Sequence, residues 1–304
     1  MGYAEDMEIR SLRNDEWDHL ARLIFHSTND WYQKNLNRRC FGGDDPAICR
    51  IFPEVYESLD PGCCLVAEVD GTLAGSCFYH PRETHVSLGI MNADPGFVGR
   101  GVARTLLQEI INRSGDKPIR LVSSALNIDS YSLYTRAGFQ PLAIYQDMIV
   151  PTEVELPPIS SRIRTATLSD LPSILALEDQ VSGISREKDW RYFLNDDSST
   201  WRGFVFETDG EITGFLFSVN HPGSRMLGPG VMRSHAAAFE LIVAQLATFE
   251  GETPLFLVPA SETALIQSLY TVGARNCEIH LSQVLGDARD PKGITMPTFM
   301  PETG

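Results

Sequence analysis

Ala93-Asp94-Pro95-Gly96-Phe97-Val98-Gly99-Arg100-Gly101-Val102-Ala103-Arg104-Thr105-Leu106-Leu107 is the stretch whose reading decides the fold. A strand pattern runs into a glycine-rich turn, and the turn opens an amphipathic helix over 100–113. Two glycines and an alanine within six residues let the backbone approach a ligand closely, and the first N–H groups of a helix have no intrahelical acceptor. The macrodipole adds roughly half a positive charge at that end, so a pyrophosphate could rest there without a dedicated lysine. Spacing then separates the nucleotide-binding classes. The turn has no Gly-Lys-Ser/Thr ending, which excludes a P-loop. A dinucleotide fingerprint also fits poorly, because the sixth position counted from Gly99 is Arg104.

A second segment lies downstream, Asn127-Ile128-Asp129-Ser130-Tyr131-Ser132-Leu133-Tyr134-Thr135-Arg136-Ala137-Gly138-Phe139. Its pattern is a helix with Asn127 at the start, Tyr134 two turns in, and Gly138 as a stop before the next strand. Together the two segments resemble the GNAT N-acetyltransferase superfamily. Val98, Gly99, Arg100, Gly101, Val102 and Ala103 fall on its Gln/Arg-x-x-Gly-x-Gly/Ala acyl-CoA pyrophosphate signature, and residues 127–139 fall on its Asn-x-x-Ala/Ser-x-x-Leu-Tyr-x-x-x-Gly-Phe helix. Val98 departs from the usual Gln or Arg, at a position where the implied contact comes largely from backbone amide. The resemblance implies that acetyl-CoA is the co-substrate. It implies that the backbone near Met91 and Ala93, the turn through Arg104, and Asn127 with Ser130 hold it, and that Tyr134 protonates the departing thiolate. Asn127 also fits a plain N-cap, and Tyr134 an ordinary half-buried aromatic.

Length and composition agree with a soluble two-domain chain. It has 304 residues, 43% of them hydrophobic, and a formal net charge of −15, with a sequence pI near 4.8. That length exceeds one typical domain. The charge argues against a nucleic-acid surface and favours a small or cationic acceptor. No apolar window is long enough to span a membrane and no basic-then-apolar leader opens the chain, so a cytoplasmic protein is expected. Cys40, Cys49, Cys63, Cys64, Cys77 and Cys277 lack paired zinc spacing and the seven histidines are scattered. Free buried thiols and no metal are therefore expected.

The periodicities predict a strand over 8–12, a helix over 15–26, and a polar arginine-bearing segment over 31–43. A helix capped by Asp45 follows over 46–58. Strands over 63–69 and 73–79 flank an Asp70-Gly71 hairpin turn, another strand runs over 86–93, and the last of this half ends near Val150. The second half repeats the order. Ile163-Arg164 answers Ile9-Arg10, Asp209-Gly210 answers Asp70-Gly71, a helix is expected over 234–249 and a strand over 255–258, and residues 268–274 answer 132–139. The expected fold class is α/β with a mixed α+β sheet, built as two tandem GNAT-like acyltransferase domains: residues 1–150 catalytic, 151–160 a proline-marked linker, 161–286 a degenerate copy, and 287–304 a loosely held C-terminal tail.

The copies are not chemically equal. The stretch Gly228-Pro229-Gly230-Val231-Met232-Arg233-Ser234-His235-Ala236 offers no Gly-x-Gly at the helix start, and Pro229 has no N–H. Aligning Gly273 with Gly138 sets Leu269 opposite Tyr134. The reaction the resemblance implies is direct acyl transfer from acetyl-CoA to the amine of a small molecule or peptide, assisted by a base that the sequence does not single out among Glu83, His85 and Asn92. Asn29, Asp30, Trp31, Tyr32, Arg38 and Arg39 are placed at the acceptor wall. The alternative is an acyl-CoA-binding sensor without turnover.

Overall fold

The computed structural model describes residues 7–195 and 199–300. The chain divides into two compact units, residues 1–81 with 86–119, and residues 82–85 with 120–304.

In the first unit β1 (Met7–Ser11), β2 (Cys64–Val69), β3 (Thr72–Pro81) and β4 (Val86–Ala93) lie side by side in chain order, all antiparallel. Helices α1 (Trp17–Leu36), α2 (Ile51–Leu59) and α3 (Val102–Ser114) accompany them. The β2–β3 turn holds Asp70 at φ 50 and Gly71 at φ 74, the two left-handed positions of the hairpin turn that the Asp-Gly pair signals. Helix α1 continues ten residues past the apolar stripe that marked it, to Leu36. The polar extension is held by Lys34 paired with Asp30 at 2.7 Å and stops at Asn37, whose φ of 50 ends the helix in the left-handed region. Asp45 caps the next turn by accepting from the Ala47 amide at 2.9 Å, as its position implied.

Helix α3 docks unusually close to the sheet because β3 carries a glycine beneath it. A Cβ on Gly75 would collide with Val102 Cγ1 and lie 2.8 Å from the Asn92 carbonyl oxygen. Val102, Leu106 and Ile110 form the buried stripe of α3, at the i, i+4, i+8 spacing of one helix face.

In the second unit β5 (Ile119–Ser124), β6 (Gln140–Ile149), β7 (Ile163–Thr165), β8 (Trp201–Thr208), β9 (Glu211–His221), β10 (Ser224–Met232), β11 (Leu255–Pro259) and β12 (Arg275–Leu285) are ordered β5-β12-β6-β11-β10-β9-β8-β7. Strand β6, from the first sequence half, is antiparallel to β12 on one side and β11 on the other. Helices α4 (Ile128–Arg136), α5 (Leu171–Ser182), α6 (Glu187–Leu194), α7 (His235–Leu246) and α8 (Thr263–Thr271) complete the unit. Residues after Gly286 were expected to be loose. Instead β13 (Ile294–Met296) pairs antiparallel with Gly230–Met232 of β10, and Ile294, Met296, Thr298 and Met300 are buried. Its alternation of buried side chains outweighs the Pro and Gly content that suggested a free tail.

The duplication shows in side chains as well as in element order. Arg10 pairs with Glu16 at 2.7 Å and with Glu68 at 2.5 Å, tying the first strand to its helix start and to the hairpin. Arg164 does the same with Asp170 at 2.8 Å and Glu207 at 2.7 Å. The hydrogen bond from Arg10 holds the Glu16 carboxyl down at about 2, and that from Arg164 holds Asp170 at about 2. The second hairpin also repeats the first, with Asp209 at φ 52 and Gly210 at φ 82.

Two outcomes follow. Glu16 has its pKa depressed on folding, so its contribution is present above its ordinary 4.5 and lost as pH falls toward 2. Glu16→Gln should lower stability at pH 7 by on the order of 1 kcal/mol, a figure discounted for solvent screening, and flatten the acid limb of a urea-denaturation series in that window. Gly75→Ala should cost about 1–3 kcal/mol by overpacking under α3, read as a lower urea midpoint at unchanged m-value.

Candidate active site

The first unit brings Met91, Ala93, Val98, Gly99, Arg100, Gly101, Val102, Ala103 and Arg104 together on one strand–turn–helix. Strand β4 carries a bulge before the turn: Cys77 faces Met91 and Tyr79 faces Leu88, so β4 spends one more residue than β3 over this interval. The Asp94 amide donates to the Ala74 carbonyl at 2.9 Å. By the alternation of an antiparallel ladder, the Met91 and Ala93 amides therefore point away from β3. Asp94 also accepts from the Gly96 amide at 2.7 Å, which fixes the turn and occupies the one carboxylate next to it.

Gly99 and Gly101 both adopt φ 84, and a Cβ at Gly99 would meet nothing within 4 Å. The glycines are thus required by backbone conformation and not by crowding. The Thr105 amide closes the first helical bond, to the Gly101 carbonyl at 2.9 Å. Among the described residues, no internal acceptor is found for the amides of Val98, Gly99, Gly101, Val102, Ala103 or Arg104. Val98, at the position that departs from the motif, is 73% exposed and leaves the turn unplugged. The first turn of α3 holds no carboxylate, whereas helices usually place acids there. It holds Arg104 instead, whose Nη2 would lie 3.7 Å from a Cβ on Gly101, so the guanidinium folds back over the turn. Arg100 stacks over Phe97 at 5.0 Å. Helix-start amides without an internal acceptor, with cations beside them, are an arrangement that can hold an anion.

The second unit carries Asn127, Ser130 and Tyr134 on α4. Asn127 Oδ1 accepts from the Ser130 amide at 3.0 Å, so its oxygen acts as the N-cap while its amide nitrogen is left for other partners. Tyr134 is buried, with its ring 5.7 Å from Phe139. The end of α4 is closed by Phe139 N–H to Tyr134 C=O at 3.1 Å and Gly138 N–H to Thr135 C=O at 3.1 Å. The end of α8 repeats this with Ala274 N–H to Leu269 C=O at 3.0 Å and Gly273 N–H to Tyr270 C=O at 3.0 Å. Leu269, fully buried, therefore occupies in the second copy the position of Tyr134, while Tyr270 turns outward to Gln146 Oε1 at 3.2 Å. The second copy has no glycine turn either. Strand β10 runs through Met232, and α7 starts almost at once behind the Ser234 cap. Where β10 leaves β11, its edge is paired by β13.

The residues placed near an acceptor have structural duties. Asn29 is buried and ties α1 to the following loop, accepting from Cys40 and Phe41 amides at 3.0 and 2.9 Å and donating to the Phe41 carbonyl at 3.2 Å. Asn92 donates to Ser27 Oγ at 2.8 Å and Thr28 Oγ1 at 3.1 Å. Trp31 and Tyr32 pack edge to face at 5.1 Å, Arg38 lies over Tyr32, and Arg39 pairs with Asp44 at 2.8 Å. His85 is buried with Nδ1 at 3.0 Å from Thr84 Oγ1, and Glu83 is exposed. Two buried His–Asp pairs escaped sequence reasoning: His80 Nδ1 to Asp60 at 2.9 Å and His280 Nδ1 to Asp147 at 2.8 Å. Their partners lie 20 and 133 residues apart, so no local spacing announces them. None of the six cysteines forms a disulfide; Cys40 is exposed and Cys49, Cys64 and Cys77 are buried, and burial pushes the Cys49 and Cys64 thiols up. No described helix is long and apolar enough to cross a membrane.

Residues 26–139 match the model of the acetyltransferase (GNAT) family. No curated protein sequence matches the chain. Solved structures do. A Pyrococcus horikoshii protein assigned as an acetyltransferase is 13% identical and superposes with a TM-score of 0.74, covering 97% of this chain and 96% of its own. A GCN5-related N-acetyltransferase of Sphaerobacter thermophilus is 16% identical with a TM-score of 0.62, over 96% and 99%. A tandem GNAT protein from the clavulanic acid biosynthesis pathway is 13% identical with a TM-score of 0.60, over 92% and 98%. At such identities the structures establish the fold. Residues 26–139 thus belong to the GNAT acetyltransferase family, whose members transfer acyl groups, and the chain as a whole has the tandem GNAT fold.

Proposed function

We propose that this protein is an N-acetyltransferase that moves the acetyl group of acetyl-CoA to a primary amine of a small molecule or peptide. The observation that carries the reading is that the amides of Val98, Gly99, Gly101, Val102, Ala103 and Arg104 have no internal acceptor among the described residues, at a helix start lacking carboxylates. A diphosphate satisfies that geometry and charge. The Met91 and Ala93 amides, directed away from β3, are assigned to the pantetheine and the thioester carbonyl, and Asn127 and Ser130 to the CoA arm.

In the reaction the neutral amine attacks the thioester carbon, the tetrahedral oxyanion draws on backbone donors, and the C–S bond breaks. The proton for the leaving thiolate is assigned to the Tyr134 hydroxyl. The proton lost by the amine passes to water or to a base. The sequence halves keep distinct roles in this proposal: residues 1–150 supply the chemistry, 151–160 link, and 161–286 serve as a non-catalytic copy. That assignment is supported by Leu269 at the Tyr134 position and by the occupied edge of β10. A net charge of −15 suits a cationic amine, and a cytoplasmic setting suits acetyl-CoA supply.

Tyr134→Phe should lower kcat by roughly 10²-fold or more while CoA affinity, measured by calorimetry, stays within twofold. Unchanged turnover would remove Tyr134 from the chemistry. Gly101→Val forces a β-branched residue to φ 84 at a cost of about 1–3 kcal/mol, so CoA affinity should fall at least tenfold. The parent assay is thiol release from acetyl-CoA with polyamines, aminoglycosides, amino acids and peptides. Stabilisation by acetyl-CoA without thiol release from any acceptor would favour the sensor reading.

A further inference from the structure

Within the second unit, His280 and Asp147 have no part in the reaction as assigned above. His280, on β12, sets Nδ1 2.8 Å from Asp147 Oδ1 on β6. An ionised carboxylate only accepts, so the contact places the ring proton on Nδ1 and the lone pair on Nε2. The imidazole packs against the Phe299 ring at 4.9 Å, and its side chain keeps 7% of its surface, against 1% for His80 in the other His–Asp pair. Glu278 lies two residues before His280, opposite Asp147 in the ladder, and its Oε1 accepts from Ser124 Oγ at 2.5 Å. Between Glu278 and His280, the Ile279 carbonyl accepts from the Ala125 amide at 2.9 Å, and the Ser124 carbonyl accepts from the Asn127 amide at 3.1 Å. The set therefore stands where β5 leads into α4, the helix that carries Asn127, Ser130 and Tyr134.

The internal duplication provides a comparison. Aligned on Gly138 and Gly273, the segment from Ser124 to Asn127 answers that from Pro259 to Glu262. The bonds agree: the Ala260 amide donates to the Ile144 carbonyl at 2.8 Å and the Glu262 amide to the Pro259 carbonyl at 3.0 Å. The same alignment sets Tyr145 against His280, and these two face each other in the β6–β12 ladder, so the local twofold between the copies passes through that pair. In the second copy the places of Ser124, Asp147, Glu278 and His280 are thus taken by Pro259, Ser282, Ala143 and Tyr145. None of these is a carboxylate or an imidazole. The ionisable set stands beside the helix with Tyr134 and is missing beside α8, where buried Leu269 takes that place. Packing alone gives the set no reason to follow the tyrosine.

We propose that His280, oriented by Asp147, is the general base that takes the proton of the attacking amine. This rests on the acyl transfer proposed above and refines the role of residues 161–286: a copy without a centre of its own lends one strand residue to the first. As the amine nitrogen bonds to the thioester carbon, an N–H bond breaks and its proton goes to Nε2. The thiolate leaves with the C–S electron pair and takes the proton of Tyr134. Both groups then exchange protons with solvent, which returns them to their starting states.

The test uses the full chain and thiol release from acetyl-CoA with a mixture of spermidine, kanamycin, lysine and a lysine-bearing peptide. His280→Ala should lower kcat by roughly 10²-fold with CoA affinity unchanged by calorimetry, and added imidazole should restore turnover saturably, which a merely structural histidine would not allow. If that variant does not fold, His280→Asn keeps a donor for Asp147 and is read by the loss of kcat at unchanged CoA affinity. Turnover within about threefold of wild type, or a loss that imidazole leaves unrestored in a folded His280→Ala, overturns the base and leaves acyl transfer standing. Wild-type protein that releases no thiol overturns the acyltransferase reading itself, and the base with it.

Discussion

A helix cannot satisfy its own first amides, and among the described residues those of α3 have no internal acceptor and no side-chain cap. The turn before the helix spends two left-handed glycines to bend the backbone into place, and Asp94, the acid that could have reached the helix start, is committed to Gly96. Gly75 lets α3 settle close to β3, with Val102 wedged where a Cβ would stand. Arg104 in the first turn opposes the helix dipole, a local cost that a bound anion offsets. The uncapped amides and Arg104 in the first turn are unfavourable in themselves, and under the proposed function a bound phosphate offsets them.

The same scaffold appears twice in the chain, and the comparison shows what a fold needs and what a chemistry needs. Both copies retain the arginine–carboxylate ties at the first strand and the Asp-Gly hairpin. These hold elements together and serve any copy of the fold. The second copy lacks the glycine turn, carries a buried leucine in register with Tyr134, and pairs the edge of β10 with β13. Residues that tie the elements together are kept in both copies, while the glycine turn and Tyr134, which the proposed function assigns to an anion and a leaving group, are not.

Much of this was legible in the sequence because it is local. Gly-x-Gly ahead of an apolar stripe, Asp-Gly between alternating runs, and Asp45 before a proline each act over a few residues, and the structure places them as read. What could not be read is what depends on distant partners. The helical extension from Ser27 to Leu36 rests on polar pairs and on Asn29 reaching Cys40 and Phe41. The insertion of β6 between β11 and β12 is a choice of strand partner that alternation cannot reveal. The tail offered Pro and Gly, which mask a short strand whose burial depends on a groove made elsewhere in the unit. Asn127 could be read as cap or ligand, and its oxygen acts as cap.

The central claim is that the amides between Val98 and Arg104 are the donors that meet the diphosphate of CoA. Amide-resolved NMR of the ¹⁵N-labelled protein titrated with CoA tests it directly. The account predicts saturable downfield shifts concentrated on Gly99, Gly101, Val102, Ala103 and Arg104. Binding that leaves those amides unmoved, or no binding at all, would contradict it.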